Sequence, residues 1–153
     1  MVKEGDPAPV FDLETDEGSR VSLESLKGKN VVLFFYPKDN TSGWTREACE
    51  FRDAFPRFGE MNAVVFGVSP DSRKSHEKFR AKYALPYNLL VDEGHRLCDA
   101  YGIWKEKKLY GVTYMGVERT TVVIDSAGRV AKIFPKVQID GHVDDVQAAV
   151  AAL

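Results

Sequence analysis

Two nearly uninterrupted apolar runs, NVVLFFY at 30–36 and AVVFGVS at 63–69, constrain this fold more than any other feature. Both are rich in β-branched and aromatic residues, and neither shows the alternation of a half-solvated strand. Each is therefore read as a strand buried on both faces. Residues 43–59, between them, carry helical spacing. Strand, helix and strand in that order imply parallel pairing through a crossover, with helices covering the sheet.

The remaining segments extend this pattern. VFDLETDEGSRVSL reads as a hairpin turning at DEG. Thr41 and Ser42 stand near the N-cap of the 43–59 helix, and Pro56 is expected to bend or end it. A charged amphipathic helix follows at 72–84 with Ser72 as its cap, then a short strand at 88–92 and a short helix at 94–102 ended by Gly102. A loop then leads to strands 119–125 and 129–135, an antiparallel pair turning at SAG, and to a last helix at 142–153. The reading is one α/β domain over 1–153, with a mixed central sheet flanked by helices on both faces. In such sheets ligands sit beyond the carboxyl ends of the central strands. The turn after the 30–36 strand, PKDNTSGW, lies at such an end.

Composition narrows the function classes. A net charge of −2 gives no electrostatic argument for nucleic acid or an anionic membrane as partner. No apolar run approaches the roughly 18 residues of a bilayer span. The acidic first residues lack a signal-peptide apolar region, so a cytoplasmic location is expected. Two cysteines, Cys49 and Cys98, are too few for a secreted disulfide scaffold. The three histidines are not at ligand spacing from another His or Cys, so no structural zinc site is expected. No GxxxxGK[ST] or GxGxxG stretch is present, and no cofactor is expected.

The turn at 37–43 has its own chemistry. Backbone N–H groups at a helix start favour an anion, and a cysteine there becomes a ready nucleophile. Here that place is filled by Trp44. Arg119 opens a buried strand and could face this turn, or could be a surface arginine at a strand end. Cys49 falls among Ala48, Phe51 and Ala54, as a small core residue would. Five residues of helix rise about 7.5 Å, so positions 44 and 49 could be bridged only if the helix unwound. Cys98 lies in line with Leu97 and Tyr101 and reads as a buried thiol.

Four segments together resemble one family. They are GDPAPVFDL, NVVLFFYPKDNTSGWTREACEFRD, YGIWKEKKLYGVTYMGVERTTVVIDSAGRV and GHVDDV. In order, spacing and detail they are similar to the peroxiredoxin Q group, also called bacterioferritin comigratory proteins, over nearly the whole chain. The resemblance implies a thioredoxin-like fold with an N-terminal β-hairpin extension. It implies reduction of hydrogen peroxide and organic hydroperoxides by a peroxidatic cysteine, which becomes a sulfenic acid. A resolving cysteine five residues later condenses with it in many members, and a thioredoxin-like dithiol then reduces the disulfide. Members are monomers or dimers.

Carried over residue by residue, Pro37 and Thr41 match the family's active-site pattern, and Gly43 precedes the attacking position. That position holds Trp44 in place of cysteine. Cys49 matches the resolving position, and Arg119 matches the arginine that holds thiolate and peroxide. Ser42 stands where the family has proline. Indole cannot act as a thiolate. Three readings follow: an inactive thiol-peroxidase scaffold, a residual one-cysteine peroxidase acting through Cys49, or a non-enzymatic module that binds a redox partner.

Overall fold

In the computed structural model, residues 2–153 are described, with the side chain of Ser42 outside the described set. The elements in chain order are β1 Asp12–Thr15, β2 Arg20–Ser22, β3 Asn30–Phe35, α1 Ser42–Glu60, β4 Ala63–Ser69, α2 Arg73–Tyr83 and β5 Leu89–Val91. They continue with α3 Arg96–Ala100, β6 Trp104–Leu109, β7 Val112–Val117, β8 Thr120–Ile124, β9 Val130–Pro135 and α4 His142–Ala151.

The two apolar runs lie at the heart of a seven-stranded sheet ordered β2-β1-β5-β4-β3-β8-β9. β3, β4 and β5 run parallel, as the crossovers demand. β1 and β8 flank them antiparallel, so the sheet is mixed. Side chains of β3 divide by parity. Val31, Leu33 and Phe35 enter a core shared with Leu97 and Cys98 of α3, whereas Val32, Phe34 and Tyr36 enter one shared with α1, α2 and α4. Helices therefore cover both faces, but unequally. Gly67 of β4 makes room on the second face. A Cβ there would stand 2.8 Å from Leu89 and Phe34 and 3.1 Å from Tyr36.

Two readings of the sequence need correction. Of the bend or end expected at Pro56, the end is excluded, because α1 continues through it to Glu60. Proline removes one helical donor, but the packing of Phe51, Ala54 and Phe58 in the core outweighs that loss. The segment after α3 is also not a loop. β6 and β7 pair over six residues each as a separate ribbon, turning at Tyr110 and Gly111, both at positive φ. The ribbon carries Lys105, Lys107 and Lys108 and is largely exposed, so it shows little apolar alternation in the sequence.

Candidate active site

The chain leaves β3 at Phe35, turns through 37–41 and enters α1 with Thr41 as the N-cap residue in extended conformation. The Thr41 side chain makes no capping bond; its hydroxyl donates to the Lys38 carbonyl at 3.1 Å. Its own carbonyl accepts from the Thr45 N–H at 2.9 Å and starts the helix. Pro37 and Gly43 line the same turn, both half-buried. A Cβ on Gly43 would lie 3.9 Å from the Arg119 guanidinium.

Trp44 and Arg119 come together here. The guanidinium carbon lies 3.4 Å from the centroid of the Trp44 ring, so the cation rests on the indole face. Trp44 also packs against the core that includes Phe51 and Phe58. Arg119 is thus no loose strand-end arginine; its side chain is 21% exposed and Nη2 donates to Glu47 Oε2 at 3.2 Å. Glu47 was not singled out from the sequence. It lies three residues after Trp44, one helical turn on, and that spacing could have placed it on the same face.

The Glu47–Arg119 pair is costly to bury. Glu47 Oε1 and Arg119 Nε have no hydrogen-bond partner among the described residues. Burial pushes the Glu47 carboxyl up to about 7, against the pull of Arg119. Burial also lowers the Arg119 pKa, against the pull of Glu47. For both groups desolvation outweighs the ion pair.

A pH dependence follows. The folded value of Glu47 lies above its unfolded one, so its stabilising contribution is complete below about 4.5 and is lost as pH rises to about 7. Urea unfolding between those limits is expected to show stability falling by up to roughly 1.4 kcal/mol per pH unit from this group. Glu47→Gln should remove that slope. A slope unchanged in the variant would assign it elsewhere.

Cys49 sits on the same helix but apart from the arginine cluster. It is half-buried, not fully buried as its neighbours suggested. Burial raises its thiol pKa, only partly offset by Arg52. α1 is continuous through positions 44 and 49, so no bridge between them could form without unwinding. Cys98 is fully buried on the other face of the sheet, its thiol pushed far up by burial and then by Asp92. Titration with a thiol-specific disulfide reagent should show Cys49 reacting slowly and Cys98 only after denaturation. Two fast thiols in the native protein would contradict this placement.

The AhpC/TSA family model matches residues 4–133. Peroxiredoxin Bcp of Bacillus subtilis is 50% identical over 139 residues, covering 91% of this chain and 88% of that protein. A serine-for-cysteine variant of a peroxiredoxin Q from Xylella fastidiosa superimposes with a TM-score of 0.94 at 35% identity, covering 99% and 97% of the two chains. The bacterioferritin comigratory protein of Xanthomonas campestris, studied for alkyl peroxide reduction, gives 0.89 at 38% identity, covering 93% and 90%. The similarity thus spans both the sheet and the strand-to-helix turn that presents position 44. The chain belongs to the AhpC/TSA family, in its peroxiredoxin Q or bacterioferritin comigratory protein group, and has its thioredoxin-like fold.

Proposed function

We propose that this chain is a peroxiredoxin Q-type thiol-peroxidase scaffold whose peroxidase step is lost because Trp44 fills the attacking position. The family reaction takes a peroxide as substrate and a thioredoxin-like dithiol as reductant. One observation carries the reading: the indole lies flat against Arg119, 3.4 Å from its guanidinium carbon. By the family pattern that arginine would hold the thiolate and the peroxide. Here its open face is covered by a side chain with one N–H donor and no nucleophilic atom. Thr41, Pro37 and Gly43 keep the turn's pattern, and the side chain of Ser42 lies outside the described residues.

Attack by Cys49 instead meets two obstacles. Its thiol pKa is raised, so little thiolate forms near neutral pH. It also stands more than a helical turn from the Trp44–Arg119 contact. The test is NADPH consumption with hydrogen peroxide, thioredoxin and thioredoxin reductase. Turnover at background, unchanged in Cys49→Ser, is the expected result. Turnover above background that disappears in Cys49→Ser would establish a one-cysteine peroxidase and overturn the reading.

A further inference from the structure

A second buried polar cluster lies behind the turn, on the side facing α2. Asp39, in the middle of the turn, is 7% exposed, and His76 of α2 is fully buried. The Asp39 carboxylate receives the Tyr36 hydroxyl at 2.5 Å on Oδ1 and the Ser75 hydroxyl at 2.8 Å on Oδ2. His76 Nδ1 stands 2.7 Å from the same Oδ2. The other ring nitrogen, Nε2, lies 2.9 Å from the Leu90 carbonyl of β5.

These contacts constrain the protons. A carbonyl oxygen only accepts, so Nε2 carries hydrogen. Nδ1 faces a carboxylate oxygen that already accepts the Ser75 hydroxyl. With Nδ1 donating as well, the ring is the imidazolium, the form that the raised His76 pKa favours. The turn has further ties to its surroundings. The Asp39 N–H donates to Asp71 Oδ2 at 2.7 Å, and Ser69 donates to the same oxygen at 2.7 Å. Asn40, at φ +59°, accepts from Lys82 at 3.2 Å and Tyr83 at 3.1 Å, both of α2.

Asp39, Asp71 and His76 offer ligand atoms within 4.8 Å of one another, although in the sequence His76 has no second His or Cys at ligand spacing. Asp39 Oδ2 and Asp71 Oδ2 already accept from protein donors. The imidazolium supplies the positive charge that a metal ion would otherwise bring.

We propose that Asp39 and His76 are positioning residues: their ion pair clasps the turn 37–41 to α2 and thereby fixes where the first turn of α1 presents position 44. The proposal concerns the site read above as the attack site, but the clasp can be tested in the chain as it stands. Tyr36 just after β3, Ser69 from β4, Asp71 before α2, Ser75 on α2 and the Leu90 carbonyl on β5 face the pair, while Lys78 and Lys82 stand at its rim. Burial opposes the charged imidazole, yet the Asp39 hydrogen bond and charge outweigh it, and the His76 pKa lies above the ordinary value. The clasp is therefore complete below about 6.5 and is lost as pH rises through the folded value. Loss of the ring's charge would remove the ion pair that holds the turn to α2.

Trp44 is the reporter, in a Trp104→Phe background. Trp104 is the other tryptophan and must go, because it stacks on His95 at 4.1 Å and would report that ring. The Trp44 emission is expected to change on the alkaline side, with the same midpoint as the His76 ring resonances by NMR. A separate transition near 7 belongs to Glu47 and should vanish in Glu47→Gln. Asp39→Asn keeps the turn, since an amide can accept from Tyr36 and donate to a neutral His76. It should preserve the neutral-pH emission and abolish the alkaline transition. Asp39→Ala should shift the emission at every pH.

If Asp39→Asn does not fold, His76→Gln replaces it. Its amide donates to Asp39 and does not titrate, so the alkaline transition should again be missing. In the Trp44→Cys chain, Asp39→Ala should lower kcat/KM about a hundredfold, as a displaced reacting group does, with Asp39→Asn close to its parent. A Trp44→Cys chain without activity would count against the reading of position 44, and the emission test would still decide the clasp. An alkaline transition that survives in Asp39→Asn would overturn the proposal. So would a His76 ring singly protonated at neutral pH, or ring resonances that move on adding zinc chloride.

Discussion

Trp44→Cys is expected to convert a chain with background turnover into a peroxidase. Removing an enzyme's nucleophile typically costs roughly 10⁴- to 10⁶-fold, so restoring one should raise kcat/KM by at least about a thousandfold. The physical basis lies in what surrounds position 44. It sits in the first turn of the 19-residue helix α1, where unpaired backbone N–H groups and the positive end of the helix lower a thiol pKa. Arg119, freed of the indole, would add its charge to thiolate and peroxide. The NADPH-coupled assay with thioredoxin reads the gain. Adding Ser42→Pro should raise it further, since proline fixes φ and stiffens the turn. If Trp44→Cys stays at background while its fold is intact by circular dichroism, position 44 is not the attack site.

Arg119→Ala in the chain as it stands should have the largest effect on stability. It removes the cation that covers Trp44 and the partner of a carboxylate that is 1% exposed. Breaking a buried pair from one side leaves an uncompensated charge, and a desolvated cation–π contact is worth up to about 2 kcal/mol. About 3 kcal/mol is expected at pH 8, which for a domain of this size is a fall in Tm of roughly 6–12 °C. The loss should be smaller at pH 5. Glu47, with a value of about 7, is already protonated there and needs no partner. Differential scanning calorimetry at the two pH values separates this from a simple packing loss, which would be equal at both.

The sequence disclosed the seven-stranded sheet better than the separate ribbon. β3 and β4 were legible because both faces of each strand are buried, which leaves continuous apolar runs. The β6–β7 ribbon was not. Only its base, at Trp104 and Val117, reaches a core, so residues such as Lys107, Lys108 and Tyr110 obey solvent rather than a pleated apolar face. Its one signal was the Tyr110–Gly111 turn. At Pro56 the sequence left a bend or an end open, and core packing carries the helix through.

The site divides in the same way. Thr41, Trp44 and Arg119 could be named from motif order, and the structure gathers Trp44 and Arg119 into one contact. Their partner Glu47 was hidden because one glutamate among the charged residues of α1 looks like any other. Only the three-residue step from Trp44 marks it. His76 reads as part of a charged helix and becomes distinctive only when the fold sets Asp39, 37 residues earlier, against its ring.

The proposed loss of peroxide chemistry at position 44 is tested most directly without any reductant. The reduced protein is mixed with one equivalent of hydrogen peroxide and its intact mass followed over seconds to minutes. The expected result is an unchanged mass and unconsumed peroxide. Rapid gain of one oxygen, or rapid loss of two hydrogens to a disulfide, would show a competent thiol and contradict the loss of the peroxidase step.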